Sequence, residues 1–179
     1  MSNKTEQNVH NHWLVKVFFI TFILSLIFNY LSTEVVESVS IVTSIIILIV
    51  VILIGILFDL VATAVTAADE APFHAKASDK KKGAKQSVKL VKNADKVSNF
   101  CADVVGDICG ILSGATSALV SVNLSNALGL SNITIVTMLV TATVTALTVL
   151  GKALAKHIAI DKAEEIITTL GKVMAVFSK

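Results

Sequence analysis

The first apolar run, Leu14 to Leu31, is 18 residues long and carries one charge at its edge, Lys16, whose ammonium can snorkel to a headgroup layer. That is just enough helix to cross a bilayer core. The run leads into Asn29-Tyr30-Leu31-Ser32-Thr33-Glu34 with no small-x-small cleavage pattern, so it reads as a retained span and not as a signal peptide. A second run begins at Ser40, is uncharged through Phe58 and continues to Ala68 with Asp59 as its one acid. It is rich in isoleucine and valine but far too long for a strand, and lipid tolerates only helices or closed barrels. From Ile108 to Gly151 lie 44 uncharged residues, about 66 Å of helix at the usual rise and roughly twice a bilayer core. That stretch must fold back once. The polar break from Asn123 to Asn132 predicts helices over about 98–122 and 133–156.

Two further segments are amphipathic. Between Asp69 and Val97, Ala84, Val88, Val91 and Val97 recur at helical spacing among lysines, the pattern of a basic helix on anionic headgroups. From Ala159 onward, Ala163, Ile166, Ile167, Leu170, Met174 and Phe177 share one face, and Lys162, Glu165 and Lys172 the other. This predicts an interfacial helix over 159–179.

Composition agrees with the pattern. Of 179 residues, 54% are hydrophobic and 16% charged, with a mean hydropathy of +0.80; soluble domains carry about 25% charged residues. Cys101 and Cys109 sit eight residues apart on one predicted helix and cannot form a disulfide. Every basic residue is lysine, which suggests a bacterial chain, and eight of the fifteen lie between Asp69 and Val97. By the positive-inside rule that segment is cytoplasmic. The 32–39 loop, with only Glu34 and Glu37, and the uncharged 123–132 loop are then outside. The fold class expected is an all-α polytopic membrane protein with about four transmembrane helices and amphipathic juxtamembrane helices, both termini cytoplasmic. The net charge of +2 reflects local clusters, which makes the lipid bilayer the expected partner and argues against nucleic acid. No Ser-His-acid grouping, phosphate-cradling glycine loop or Cys-x-x-Cys is present, so the chain does not read as an enzyme.

Acids inside a span are costly and mark functional sites by default. Three are candidates: Asp59, Asp103 and Asp107. Asp59 and Asp107 each lie about 13–14 Å in from the predicted cytoplasmic helix ends, and Lys152 is the nearest opposite charge. Three polar stripes surround them at helical spacing: Gly55, Asp59, Thr63 and Thr66; Asp103, Asp107, Gly110 and Gly114; Thr137, Thr141, Thr145, Thr148 and Lys152. They suggest a common polar interior. Gly106, Gly110 and Gly114 also have the spacing that lets helices approach closely in lipid. In one reading Asp59 and Asp107, with Thr63, Ser113 and the backbone at Gly110, ligate a hard cation such as Mg²⁺, which takes oxygen ligands. In the other, Lys152 neutralises an acid and the cluster locks the bundle.

Over residues 40–179 the order of motifs resembles the transmembrane domain of the CorC/CNNM family of magnesium and cobalt efflux proteins. Phe58-Asp59-Leu60-Val61-Ala62-Thr63-Ala64-Val65-Thr66 stands where the family has Phe-Ser-Ala-Ala-Glu-Thr-Ala-Leu-Thr. Gly106-Asp107 stands at its Gly-Asn. Gly151-Lys152-Ala153-Leu154-Ala155-Lys156 stands at its Gly-Glu-Ile-Ile-Pro-Lys, before an Ala-Glu-rich helix matched by Ala163-Glu164-Glu165-Ile166. The resemblance implies Mg²⁺ or Co²⁺ transport, a homodimer, and a cytoplasmic regulatory partner in place of the paired nucleotide-sensing domains of longer members. Asp59 and Asp107 then stand where the family has a serine and an asparagine as cation ligands, and Lys152 replaces a glutamate. Divalent-cation transport is therefore the leading expectation. The alternative is a transport-inactive scaffold or accessory subunit in which Lys152 holds the acids together in an internal Asp-Lys salt bridge that takes the place of the ion.

Overall fold

A computed structural model describes residues 15, 18–23, 25–27, 30, 40–130 and 132–177. The expected 32–39 loop lies outside the described residues, as does much of the expected Leu14–Leu31 span. From Ser40 onward every element is a helix: α1 (Ile41–Ala67), α2 (Ala71–Ser78), α3 (Ala84–Lys92), α4 (Ala94–Leu128), α5 (Ile133–Asp161) and α6 (Ala163–Phe177). Three of them, α1, α4 and α5, are long and apolar enough to cross a membrane.

Local chemistry sets the ends. Ser40 caps α1 by accepting a hydrogen bond from the Thr43 amide, which satisfies one of the first-turn donors. Pro72 sits in the first turn of α2, where its missing N–H costs nothing. Gly83 (φ 83°) precedes α3, and Gly129 (φ 63°) ends α4 as the Leu130 amide reaches back to the Ser125 carbonyl, a left-handed glycine cap. Helix α4 therefore runs from Ala94 to Leu128, beyond the 98–122 expected. Its serines do not break it, because Ser117 and Ser121 hydroxyls donate to the carbonyls of Gly114 and Ala118 in place of competing for amides. Within α4, Phe100 to Gly106 form a π-helical segment.

The three long helices pack against one another, with α4 the most buried of them. Val104, Ile108 and Leu112 of α4 form an apolar cluster with Val51 of α1. Below it, a serine seam on α4 is buried: Ser113, Ser117, Ser121 and Ser125 at every fourth position, with Thr116 beside them. Small residues permit the close contacts. A side chain on Gly55 would come within 3.0 Å of Cys109, and one on Gly151 would meet Ile56 at 2.5 Å. Of the expected glycine stripe only Gly106 is buried; Gly110 and Gly114 are exposed, with nothing within 4 Å of where a Cβ would be.

The shorter helices form a cap at the end of the bundle where α1 finishes. Phe73, Val91 and Ile167 from α2, α3 and α6 are buried with Ala64, Val65 and Ala159. The two segments expected as separate surface helices thus spend part of their apolar faces on each other and on α1, while Met174 and Phe177 at the end of α6 stay exposed. Gly83 and Gly171 are in backbone contact at the crossing, and Ser87 donates across it to the Ile167 carbonyl at 3.0 Å. Lys76 ties α2 to α6 through Glu164 (2.8 Å) and Thr168 (2.9 Å). The lysines at 80, 81, 82, 85, 89, 92 and 96 remain exposed.

Candidate functional site

Asp59 lies in the last third of α1 and is 6% exposed, an ionisable group inside an otherwise apolar helix. Helical register places it one turn past Gly55, where α1 lies against α4 at Cys109, and one turn before Thr63. The cation beside it is Lys156 of α5, whose Nζ lies 3.7 Å from Oδ2. Asp59 Oδ2 is buried and accepts no hydrogen bond, so the pair is held by charge across a distance longer than a hydrogen bond. Lys156 is half exposed where Asp59 is almost wholly covered. Its ammonium is the end that approaches the buried carboxylate, while the side chain as a whole remains about half exposed.

Lys156, and not the expected Lys152, is the lysine that reaches Asp59. The two are one turn apart on the same side of α5, and α5 continues beyond the expected end at 156 to Asp161, so Lys156 lies well inside the helix. Lys152 instead reaches α4, where a Cβ on Gly106 would stand 3.9 Å from its Nζ.

The remaining expected ligands are distributed rather than gathered. Thr63, half buried, donates its hydroxyl to the Asp59 carbonyl at 3.0 Å. Ser113 is buried and donates to the Gly110 carbonyl at 2.9 Å. Asp107 and Asp103 are exposed on α4, together with Gly110 and Gly114. Only the α1 stripe is interior at its centre. The α4 stripe faces outward beside Thr145 and Lys152 of α5, bordering a mainly apolar groove of about 140 Å³ lined by Gly110, Ser113, Gly114, Val144, Thr145, Thr148, Val149 and Lys152. Among the described residues no three His, Cys, Asp or Glu side chains come together as a metal site. Mg²⁺ prefers near-octahedral oxygen coordination with one or two carboxylates; the buried carboxylate here has a lysine for its neighbour.

No protein-family model matches this chain, and no curated protein or solved structure does either. The likeness to the CorC/CNNM transmembrane domain rests on the sequence motifs alone.

Proposed function

We propose that this chain is an integral membrane protein in which α1, α4 and α5 cross the bilayer, the Leu14–Leu31 run adds a fourth span, and both termini are cytoplasmic. Within it, Lys156 stands where a transported cation would bind, making the chain a transport-inactive scaffold or accessory subunit. The observation that carries this reading is the Lys156 Nζ at 3.7 Å from the one carboxylate buried among the described residues, with Asp107 exposed on another face. A tethered ammonium beside Asp59 competes with any free cation for the carboxylate, and the second acid a divalent ion would want is not enclosed with it.

A second reading is divalent-cation transport, with Mg²⁺ or Co²⁺ as cargo at Asp59. It is favoured by the unbonded Oδ2 and by the exposure of Lys156, which leaves that side chain room to swing away. Calorimetric titration of the purified full chain in lipid with Mg²⁺ separates the two. The scaffold reading expects no saturable binding by the natural protein and binding that emerges in Lys156→Ala. Saturable binding by the natural protein that Asp59→Asn abolishes would overturn the scaffold reading in favour of transport.

A further inference from the structure

On the side of α1 and α4 away from Lys156, a groove of about 350 Å³ opens between Val51, Ile54 and Phe58 of α1 and Phe100, Ile108 and Leu112 of α4, and it presents no polar surface. Ile108 and Leu112 are buried and form its floor, while Ile54 and Phe100, 41% and 49% exposed, stand at its open rim. The π segment shapes it. A π turn bonds residues five apart, so Phe100 and Val105, which an α-helix would set about 140° apart, both line the groove. From Val51 to Phe58 it follows about 10 Å of helix, and its volume is in the range of small-ligand pockets, roughly 300–1,000 Å³.

The chemistry changes at one end. Lys96 lies one turn before Phe100 on the same side of α4 and is exposed. Among the described residues it forms no ion pair, and its neighbour Asp95 projects about 100° away around the helix. On the membrane reading, on which this inference rests, Lys96 sits at the level of the cytoplasmic headgroups and the groove above it runs into hydrocarbon. We propose that the groove binds one anionic phospholipid of the cytoplasmic leaflet, its acyl chain along Phe100, Ile108 and Leu112 and its phosphate at the Lys96 ammonium. A lining without polar groups recognises hydrocarbon and nothing else. The lysine supplies selection: zwitterionic and anionic lipids both carry a phosphate, but only the anionic one brings net negative charge to the ammonium. Lys85 and Lys89 are exposed as well, yet no residue of α3 lines the groove, so they attract anions without holding a chain.

The experiment uses the full-length chain with Phe100→Trp as reporter and its single native tryptophan removed by Trp13→Phe, reconstituted in phosphatidylcholine vesicles. Phosphatidylglycerol or phosphatidylcholine with brominated acyl chains is then added in increasing fraction, because bromine quenches a tryptophan it touches. Brominated phosphatidylglycerol should quench at about fivefold lower mole fraction than brominated phosphatidylcholine, the worth of one lysine at an anionic lipid surface. Lys96→Gln should bring the two lipids to parity, Lys96→Arg should keep the preference, and Lys89→Gln should leave it intact. Equal quenching by both lipids with Lys96 in place overturns the proposal, as does a preference that survives Lys96→Gln or is lost in Lys96→Arg. A preference that falls as far in Lys89→Gln would mark diffuse surface charge and overturn it too. Quenching by neither lipid would mean that the Leu14–Leu31 run or a second copy covers the groove, which also overturns it. Release of the natural chain from membranes by alkaline carbonate would instead overturn the membrane reading, and the lipid site with it.

Discussion

At the scale of single residues, Asp59 and Lys156 form an unequal pair: the acid is almost wholly covered and the base half exposed. Removing the lysine strands a buried charge, whereas removing both charges removes the difficulty. Lys156→Ala should therefore destabilise the fold by about 1–3 kcal/mol, the range for an unsatisfied buried group, and Asp59→Asn combined with Lys156→Gln should restore most of it. Thermal unfolding in a fixed lipid or detergent measures both; equal losses in the single and double variants would show that the charges do not interact. Asp59 was legible in the sequence because a lone carboxylate in a long apolar run is conspicuous. Its partner was not. Lys152 and Lys156 differ by one helical turn, about 6 Å along the axis, and the axial offset between two packed helices is not encoded in hydropathy.

At the scale of elements, hydropathy located the bodies of α1, α4 and α5, but side-chain hydrogen bonds set their limits. The polar residues from Asn123 to Leu128 were expected in a break, yet they stay helical and the turn waits for Gly129. The amphipathic faces of α3 and α6 were also legible, since Val91 and Ile167 are buried as their spacing requires. What they bury against was not, because an apolar stripe fits a lipid surface or a second helix equally well. The contact between Gly83 and Gly171 decides it, as no side chain fits between α3 and α6 there. Gly171→Val should separate the two helices and break the Ser87 hydrogen bond to Ile167, costing about 1–3 kcal/mol as overpacking does. Faster amide exchange confined to α3 and α6 would report it; unchanged protection of both helices would contradict the crossing.

At the scale of the whole molecule, three long apolar helices pack side by side and the lysine-rich cap closes the end where α1 finishes. The proposed membrane reading assigns two sides to this arrangement: residues 80–82 lie between α1 and α4, and residue 130 lies between α4 and α5. A single crossing by α4 puts these two positions on opposite sides. Lys82→Cys and Leu130→Cys, each in the full chain, can be probed with a membrane-impermeant thiol reagent on intact cells and on inverted vesicles, where Cys101 and Cys109 are buried. The cysteine introduced at 130 should react from the outside and the one at 82 only in inverted vesicles; reaction of both from the same side would contradict the membrane crossing.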